Sequence, residues 1–309
     1  MNPSPITAAR YVLITPARNE AAFIELTLKS MTAQTVKPLR WVIVSDGSTD
    51  GTDEIVKRYA ATNDWIELLR TPERKERNFA GKVHAFNAGY ARVKDIDYQF
   101  VGSMDADLSF EPDYFQFLLS KFEASPSLGL AGTPFKENNV GYDYRFVSIE
   151  HVSGACQLFR RECFEAVGGY TPVRGGGIDL IAVITARMKG WQTRTFPERI
   201  LNHHRPQSSA KYSPTMIRFK DGEKDYVLGG HPLWEIFRWV YQMTRQPFII
   251  GGCALLAGYI SAFIRRKPKS VSPELQRFRR REQMQRLKAK FGFHAVHSVH
   301  PVHTGTLCS

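Results

Sequence analysis

The chain has 309 residues, of which 43% are hydrophobic and 23% charged, a balance that is typical of a globular protein and excludes a multispanning membrane protein. Its four cysteines have neither metal-site nor redox spacing, so we expect a reduced, cytosolic setting. The formal net charge is +12, and the segment from Tyr226 onward holds 13 Lys or Arg against three Asp or Glu. This basic C-terminal segment is predicted to be attracted to an anionic surface.

Three short apolar segments are predicted to be strands. They lie at residues 11–15, 39–44 and 66–69. Helices are predicted to follow the first two, at residues 21–32 and at about 53–62. This alternation of strand, loop and helix predicts an α/β fold with a doubly wound, Rossmann-like sheet. Ligands of such sheets bind beyond the carboxyl ends of the strands.

The loop after the second strand, residues 45–52 (SDGSTDGT), allows two interpretations. Its Ser, Asp, Thr and Gly residues suit a helix N-cap and a tight turn, which needs no ligand. Alternatively, Asp46 at the end of the strand accepts a hydrogen bond from a nucleobase. The local pattern leaves both open.

The pair Gly81-Lys82 precedes a predicted helix and places Lys82 near its N-terminus, where anions bind. The pair is not part of a P-loop, because the upstream glycine and the following Ser or Thr are absent. A solvated surface lysine is the alternative.

An acidic pair, Asp105-Ala106-Asp107, comes just after a strand predicted at 98–101 and before a loop that turns into a helix. Two carboxylates in this position can reach a divalent cation or the diphosphate that the cation carries. The pair therefore indicates a phosphate-bearing substrate.

The second half offers further candidate side chains. A strand is predicted within 153–161, and Asp179 precedes a helix predicted at 181–189, where it suits an N-cap. After a strand predicted at 192–196, a polar loop contains His203, His204 and Arg205.

Four of these motifs carry a family resemblance. In order, they are residues 15–20 (TPARNE), 44–52 (VSDGSTDGT), Gly81-Lys82 with 87–89 (NAG), and 105–107 (DAD). Together they resemble the ordered signatures of the inverting family 2 glycosyltransferases with a GT-A fold, a mixed α/β sheet flanked by helices. The resemblance implies transfer of a sugar from a UDP- or GDP-linked donor to a hydroxyl, with Mg²⁺ or Mn²⁺ as the cofactor.

The resemblance also implies roles for particular residues. The nucleotide-sugar would be bound by Pro16, Ala17, Arg18, Glu20, Asp46, Lys82, Asp105 and Arg205. Asp107 would ligate the metal together with a histidine, and we favour His203 over His204. Asp179 would be the general base that takes the proton from the acceptor hydroxyl.

This sequence departs from the family pattern at two positions. Ser45 stands where many relatives have a first Asp, so base recognition rests on Asp46. Ile178 stands where the pattern normally has Glu before the catalytic Asp, which leaves Asp179 as the candidate base.

The basic segment begins with an amphipathic helix predicted at 233–245. A helix packed on a protein surface would look similar, but two tryptophans and flanking cations favour an interfacial helix. Residues 247–264 then give 18 positions without a charge, the lower limit for a membrane span, and a basic cluster follows at 265–269. A single span would put that cluster outside, so a re-entrant or interfacial hairpin fits better.

The last part of the chain is predicted to contain an arginine-rich helix and a disordered terminus. The helix starts after Ser272-Pro273 and runs to about Lys290. Four histidines at 294, 297, 300 and 303 resemble a metal site, but we interpret them as part of a disordered terminus.

We therefore divide the chain into a GT-A catalytic domain, residues 1–225, and a basic, amphipathic, membrane-associating tail, residues 226–309. The expected partners are the nucleotide-sugar, a lipid-linked or glycan acceptor in cell-envelope or exopolysaccharide biosynthesis, and an anionic membrane. The expected location is the cytoplasmic face of the cell membrane, presumed bacterial, with peripheral or re-entrant attachment. A metal-dependent nucleotidyltransferase would leave Asp179 unexplained, and the long uncharged run argues against a nucleic-acid-binding module.

Overall fold

The protein is built around a mixed sheet. A computed structural model describes residues 9–73, 79–137, 148–173, 175–205 and 213–291. The strands in these ranges are β1 (Tyr11–Ala17), β2 (Arg40–Asp46), β3 (Ile66–Thr71), β4 (Phe100–Met104), β5 (Leu108–Ser109), β6 (Leu128–Gly132), β7 (Phe135–Lys136), β8 (Cys156–Arg160), β9 (Gln192–Thr195) and β10 (Leu201–His203). Seven of them form one sheet in the order β3-β2-β1-β4-β8-β6-β9, and three form a small sheet in the order β5-β10-β7.

Helices cover the large sheet and form the C-terminal segment. Within the same ranges they are α1 (Ile24–Thr32), α2 (Thr52–Ala60), α3 (Phe79–Tyr90), α4 (Tyr114–Ala124), α5 (Arg161–Val167), α6 (Ile178–Met188), α7 (Pro214–Val227), α8 (Pro232–Met243), α9 (Ile250–Ile264) and α10 (Pro273–Lys290). The predicted α/β fold with a Rossmann-like sheet is confirmed.

Side chains of the central strands alternate between two cores. In β1, Tyr11 and Leu13 contribute to one buried apolar cluster, and Val12 and Ile14 contribute to the other. Residues of α1, α2 and α4 complete the first cluster, and residues of α3, α5 and α6 complete the second. Because both faces are covered, the sheet is a rigid frame for the loops at its edge.

The strand order brings the candidate loops to one edge of the sheet. β1 pairs in parallel with β2 on one side and with β4 on the other, so the three carboxyl ends lie together. The chain order reverses across β1, and open α/β sheets bind ligands in the crevice at such a point. The ends of these strands carry residues 16–20, Asp46 and the acidic pair.

Several predicted boundaries differ from the observed ones, and two of these differences lie next to candidate site residues. The strand predicted at 98–101 is Phe100–Met104, because its pairing with β1 begins where Phe100 meets Tyr11. The helix predicted at 181–189 begins at Ile178, and its N-cap residue is Gly177. Asp179 therefore lies in the first turn of α6, and the interpretation of Asp179 as the helix N-cap is wrong.

The C-terminal helices pack onto the catalytic region. Gly222 of α7 faces a backbone carbonyl of α9 and Gly258 of α9 faces a carbonyl of α7, so closely that a Cβ at either position would overlap the opposing backbone. Glu282 of α10 accepts two hydrogen bonds from Arg187 of α6, at 2.6 and 2.9 Å. The expected domain boundary at residue 225 falls inside α7.

The uncharged segment 247–264 contains α9. Across the described ranges, no helix combines the length and the apolar character that crossing a bilayer requires. The four histidines at 294, 297, 300 and 303 lie outside the described residues.

Candidate active site

One large cavity lies at the carboxyl edge of the sheet. Its volume is about 980 Å³. All the site residues predicted from the sequence line it: Pro16, Ala17, Arg18, Glu20, Asp46, Lys82, Asp105, Asp107, Asp179, His203 and Arg205. Side chains separated by up to 189 positions along the chain are therefore brought into one space.

Three of these side chains form a cluster with metal-binding chemistry. One ligand atom from each of Asp105, Asp107 and His203 lies within 4.8 Å of the others. The pairing of β10 with β5 sets His203 opposite Leu108, directly after the acidic pair, and His203 Nε2 lies 3.5 Å from Asp107 Oδ1. Asp107 Oδ1 is buried and accepts no hydrogen bond from any described residue. Carboxylate oxygens and an imidazole nitrogen suit Mg²⁺ or Mn²⁺, so the residues fit a divalent cation.

The electrostatics of the acidic pair also favour a cation. Burial, together with the charge of Asp105, raises the pKa of Asp107 to about 6, although His203 and Arg205 act in the opposite direction. The ionised form of Asp107 is thus disfavoured in the metal-free protein. A bound cation would relieve this repulsion.

The structure separates the two neighbouring histidines. His203 is buried beside Asp107. His204 is instead within 2.8 Å of the Ser109 hydroxyl and stacks on the ring of Phe23. Only His203 is part of the acidic cluster among the described residues.

Arg205 connects the metal-binding cluster to the loop after β1. Its Nη2 donates to Glu20 Oε2 at 2.6 Å and to the Asn19 carbonyl at 2.8 Å. Its Nε lies 4.0 Å from Asp107 Oδ2. A guanidinium held in this way presents positive charge to an anion bound beside the cluster.

Lys82 lies in the first turn of α3 and points into the cavity. It forms an ion pair with Asp105 and donates to the Gly154 carbonyl at 3.3 Å. Burial favours the neutral amine, but the charge of Asp105 outweighs this effect and the pKa of Lys82 is raised. Lys82 is therefore a charged cavity residue, and the alternative of a solvated surface lysine is wrong.

The loop 45–52 forms a tight turn before α2, whereas the binding of a nucleobase by Asp46 stays a prediction. Asp50 accepts hydrogen bonds from the amides of Ala21 and Thr52, so it shapes the turn. Asp46 lines the cavity, where its Oδ1 accepts from the Thr71 hydroxyl at 3.4 Å and its Oδ2 lies 3.9 Å from Arg18.

Asp179 lines the same cavity from the first turn of α6. It contacts Gly154, where an added Cβ would come within 3.0 Å of the Asp179 Cβ atom. The charges of Asp105 and Asp179 both favour protonated Lys82. The charge of Asp107 acts in the same direction, so the three carboxylates share Lys82 as a charged neighbour.

Several residues in and around the cavity were missed by sequence reasoning. Glu137 follows β7, and its Oε1 lies 3.5 Å from His203 Nδ1 on the side opposite Asp107. A second missed group comes from α7 and the segment after α9: Ile217, Lys220, Asp221, Glu223, Lys224 and Lys267. No local motif marks these positions, because only the packing of β7, α7 and α9 brings them to the cavity.

Replacement of Glu137 by glutamine is expected to weaken Mn²⁺ binding by about 10- to 100-fold. The carboxylate faces His203 Nδ1 and can hold the imidazole so that Nε2 is directed at the cation. Calorimetric titration with Mn²⁺ alone measures the effect, with the exposed Glu123 of α4, changed to glutamine, as the control. Equal Mn²⁺ affinities for wild type and Glu137→Gln would rule out this supporting role.

Comparison with solved structures identifies the fold. The mannosyltransferase PcManGT from Pyrobaculum calidifontis, in complex with GDP-Man and Mn²⁺, is 20% identical with a TM-score of 0.56, over 94% of this chain and 83% of that chain. Staphylococcus aureus TarS 1-349, in complex with UDP-GlcNAc, is 15% identical with a TM-score of 0.53, over 87% of this chain and 78% of that chain. The predicted GT-A fold is confirmed.

Comparison with curated proteins gives shorter matches. The poly-beta-1,6-N-acetyl-D-glucosamine synthase of Staphylococcus aureus (strain COL) is 29% identical over 136 residues, which cover 44% of this chain and 31% of the relative. The enzyme of the same name from Staphylococcus epidermidis is 27% identical over 140 residues, with the same coverage. The chain thus spans less than a third of the length of these relatives.

The family model for glycosyl transferase family 2 matches residues 12–173, more than half of the chain. The match runs from β1 through the acidic pair to the segment before α6. The chain therefore belongs to glycosyl transferase family 2.

Proposed function

We propose that this member of glycosyl transferase family 2 is an inverting enzyme that moves a sugar from a nucleotide-sugar to an acceptor hydroxyl. The observation that carries the proposal is what one cavity brings together: a cluster of possible metal ligands, Asp105, Asp107 and His203, and a further carboxylate, Asp179, near the charged Lys82. Such a cavity supplies separate places for a leaving diphosphate and for an attacking hydroxyl.

The donor half is formed by the ends of β1, β2 and β4. Residues 16–20 and Asp46 bind the nucleoside, and Asp105 lies on the ribose or sugar side. Two structural neighbours support a nucleotide-sugar, since they were solved with GDP-Man and with UDP-GlcNAc. The donor is thus UDP- or GDP-linked.

Asp107 and His203 hold Mg²⁺ or Mn²⁺. When bound, the cation stabilises the negative charge that develops on the departing nucleoside diphosphate. Arg205 and Lys82 add fixed positive charge on either side of the acidic pair, where the diphosphate would lie.

The acceptor half contains the general base. Asp179 takes the proton from the acceptor hydroxyl as the oxygen attacks the anomeric carbon. The attack displaces the nucleoside diphosphate in a single step, without a covalent enzyme intermediate, so the configuration at the anomeric carbon is inverted.

We also propose a lipid-linked or growing glycan as the acceptor, in cell-envelope or exopolysaccharide synthesis at the cytoplasmic face of the cell membrane. The partial match to poly-beta-1,6-N-acetyl-D-glucosamine synthases supports a glycan product. The basic C-terminal segment supports an anionic membrane as a partner, and nothing in the charge pattern requires nucleic acid.

A binding screen tests the proposed donor. Uridine, guanosine, adenosine and cytidine diphosphates and their sugar conjugates are titrated into the full chain by calorimetry, with Mn²⁺ or with EDTA. We expect UDP or GDP derivatives to bind more tightly in Mn²⁺ than in EDTA, because a cation held by Asp107 would attract the diphosphate. Absence of binding by every conjugate in Mn²⁺, or equal affinities in Mn²⁺ and EDTA, would contradict the proposal.

A further inference from the structure

We infer that α8, its connection to α9 and the end of α9 form a docking face for an anionic lipid bilayer, which holds the cavity mouth at the membrane. The inference rests on the proposed function only for the role of the cavity. It assigns the membrane contact to particular residues of α8, of α9 and of the connection between them. The arginine-rich helix α10 is not part of this contact.

The first observation is the orientation of α8. A helix on a globular protein buries its apolar face and exposes its polar face. In α8 the reverse holds: Glu235 is fully buried and Gln242 is 8% exposed, whereas Leu233, Ile236 and Val240 are 47–59% exposed. The apolar face of this helix is thus directed away from the protein.

A buried ionic network fixes this orientation. Arg238 of α8 forms an ion pair with Asp225 of α7, and its Nη1 lies 3.4 Å from Glu235 Oε2. Arg279 of α10 lies 3.8 Å from Asp225 and donates to the Leu228 carbonyl at 2.6 Å. Rotating α8 to bury its apolar face would separate these charges inside the protein, at high cost.

The exposed apolar surface continues beyond α8. Phe248, Ile249 and Ile250, at the start of α9, are 59–65% exposed, and Phe263 and Ile264 at its end are 63% and 71% exposed. Outside this hairpin, Phe291 at the end of α10 is 63% exposed, and its ring lies beside that of Phe237 of α8. The other large exposed apolar side chains among the described residues, at positions 26, 39, 149 and 216, are scattered and at most 44% exposed. The concentration of such residues in one helical hairpin marks an interaction surface.

The charges around the helical hairpin indicate which partner binds to the docking face. Arg265 and Arg266 are exposed directly after Ile264, and Arg245 stands between α8 and α9. No Asp or Glu occurs from residue 236 to residue 273. A second copy of this face would meet like charges, whereas an anionic bilayer offers both apolar depth and negative headgroups. We therefore assign the face to a bilayer.

The cavity reaches the edge of this face. Its wall includes Lys220 and Lys224 of α7 and Lys267, which lies three residues after the exposed Ile264. Because α7 packs against α9 through Gly222 and Gly258, the wall and the docking face belong to one rigid unit. An acceptor anchored in the bilayer would enter the cavity at this wall. Leu228, which directly follows α7, packs against Gly177, two residues before Asp179.

Vesicle flotation tests the docking face. The full chain is mixed with phosphatidylcholine vesicles with or without phosphatidylglycerol, and Val240→Glu and Ile264→Glu are compared with wild type. We expect wild type to float with the anionic vesicles, and each variant to bind them about tenfold less well, since a charge replaces a residue inserted into the bilayer. Leu39→Glu, at an exposed apolar position next to β2, is the matched control and should bind like wild type.

Three outcomes would overturn the inference. Wild type does not bind anionic vesicles, the two variants bind as well as wild type, or light scattering shows a dimer that Val240→Glu disrupts while vesicles do not bind. Nucleotide titrations on the same samples separate the two proposals. Donor binding without vesicle binding contradicts only the docking face, and vesicle binding without donor binding contradicts only the proposed function.

Discussion

Asp179→Asn is expected to lower the rate of sugar transfer by about 10²- to 10⁴-fold while leaving metal-dependent donor binding unchanged. Asparagine has nearly the same shape but cannot take the proton from the acceptor hydroxyl. Asp179 is not part of the cluster formed by Asp105, Asp107 and His203, so its replacement should not disturb the donor half.

The measurement has two parts. Calorimetry gives the affinity for the nucleotide-sugar selected in the screen, and release of nucleoside diphosphate in the presence of a membrane lipid extract gives the rate. Asp64→Asn, at an exposed position before β3, is the control. A wild-type rate for Asp179→Asn would remove Asp179 as the base, and loss of donor binding would move it to the donor site.

Asp107→Asn is expected to weaken Mn²⁺ binding by at least about 100-fold and to abolish the advantage of Mn²⁺ over EDTA in donor binding. Loss of a group that only orients a metal ligand typically costs about 10- to 100-fold in metal affinity. Asp107 offers a ligand atom itself, so its replacement should cost at least as much. Calorimetric titration with Mn²⁺ alone, and then with donor, measures both effects. Unchanged Mn²⁺ affinity would exclude Asp107 from the metal site.

The raised pKa of Asp107 adds a pH dependence to the Mn²⁺ affinity. Because the pKa is about 6 in the metal-free protein, the carboxyl becomes protonated as the pH falls through 6, and the cation must then displace a proton. At about pH 5 only about a tenth of the carboxyl is ionised, so wild type should bind Mn²⁺ about tenfold more weakly than at pH 8. An Mn²⁺ affinity that is the same at pH 5 and at pH 8 would show that protonation of Asp107 does not control the binding of the cation.

The raised pKa of Asp107 also predicts how Asp107→Asn affects the stability of the fold. A carboxyl whose pKa is raised in the folded state favours folding most below its unfolded pKa, and this contribution is lost as the pH rises through about 6. In EDTA at neutral pH, Asp107→Asn should therefore unfold at a temperature no lower than wild type. A clearly lower unfolding temperature would show that the variant loses metal through damage to the fold.

The donor half of the site was predictable because its motifs follow strands. Asp46 and the acidic pair each come at the end of an apolar segment, and parallel pairing with β1 brings these ends together. Alternating strands and helices set that geometry locally. For this reason their order along the sequence was enough to predict one cavity.

The histidine beside Asp107 and the carboxylate beside that histidine were only partly predictable from the sequence. The sequence favoured His203 over His204 by resemblance, but the pairing of β10 with β5 decides which imidazole meets Asp107. Glu137 reaches the other side of that imidazole because β7 pairs with β10. Contacts between such short, distant strands leave no periodic signal in the sequence.

The sequence by itself determined the fold class, the loops that meet at the sheet edge and the presence of an amphipathic helix near residues 233–245. Only the tertiary structure decided which face of that helix the protein covers. Periodicity places Glu235 and Val240 on opposite faces, but it does not say which face meets the rest of the chain. That choice depends on Asp225 and Arg279, which pack around Arg238 and bury the polar side.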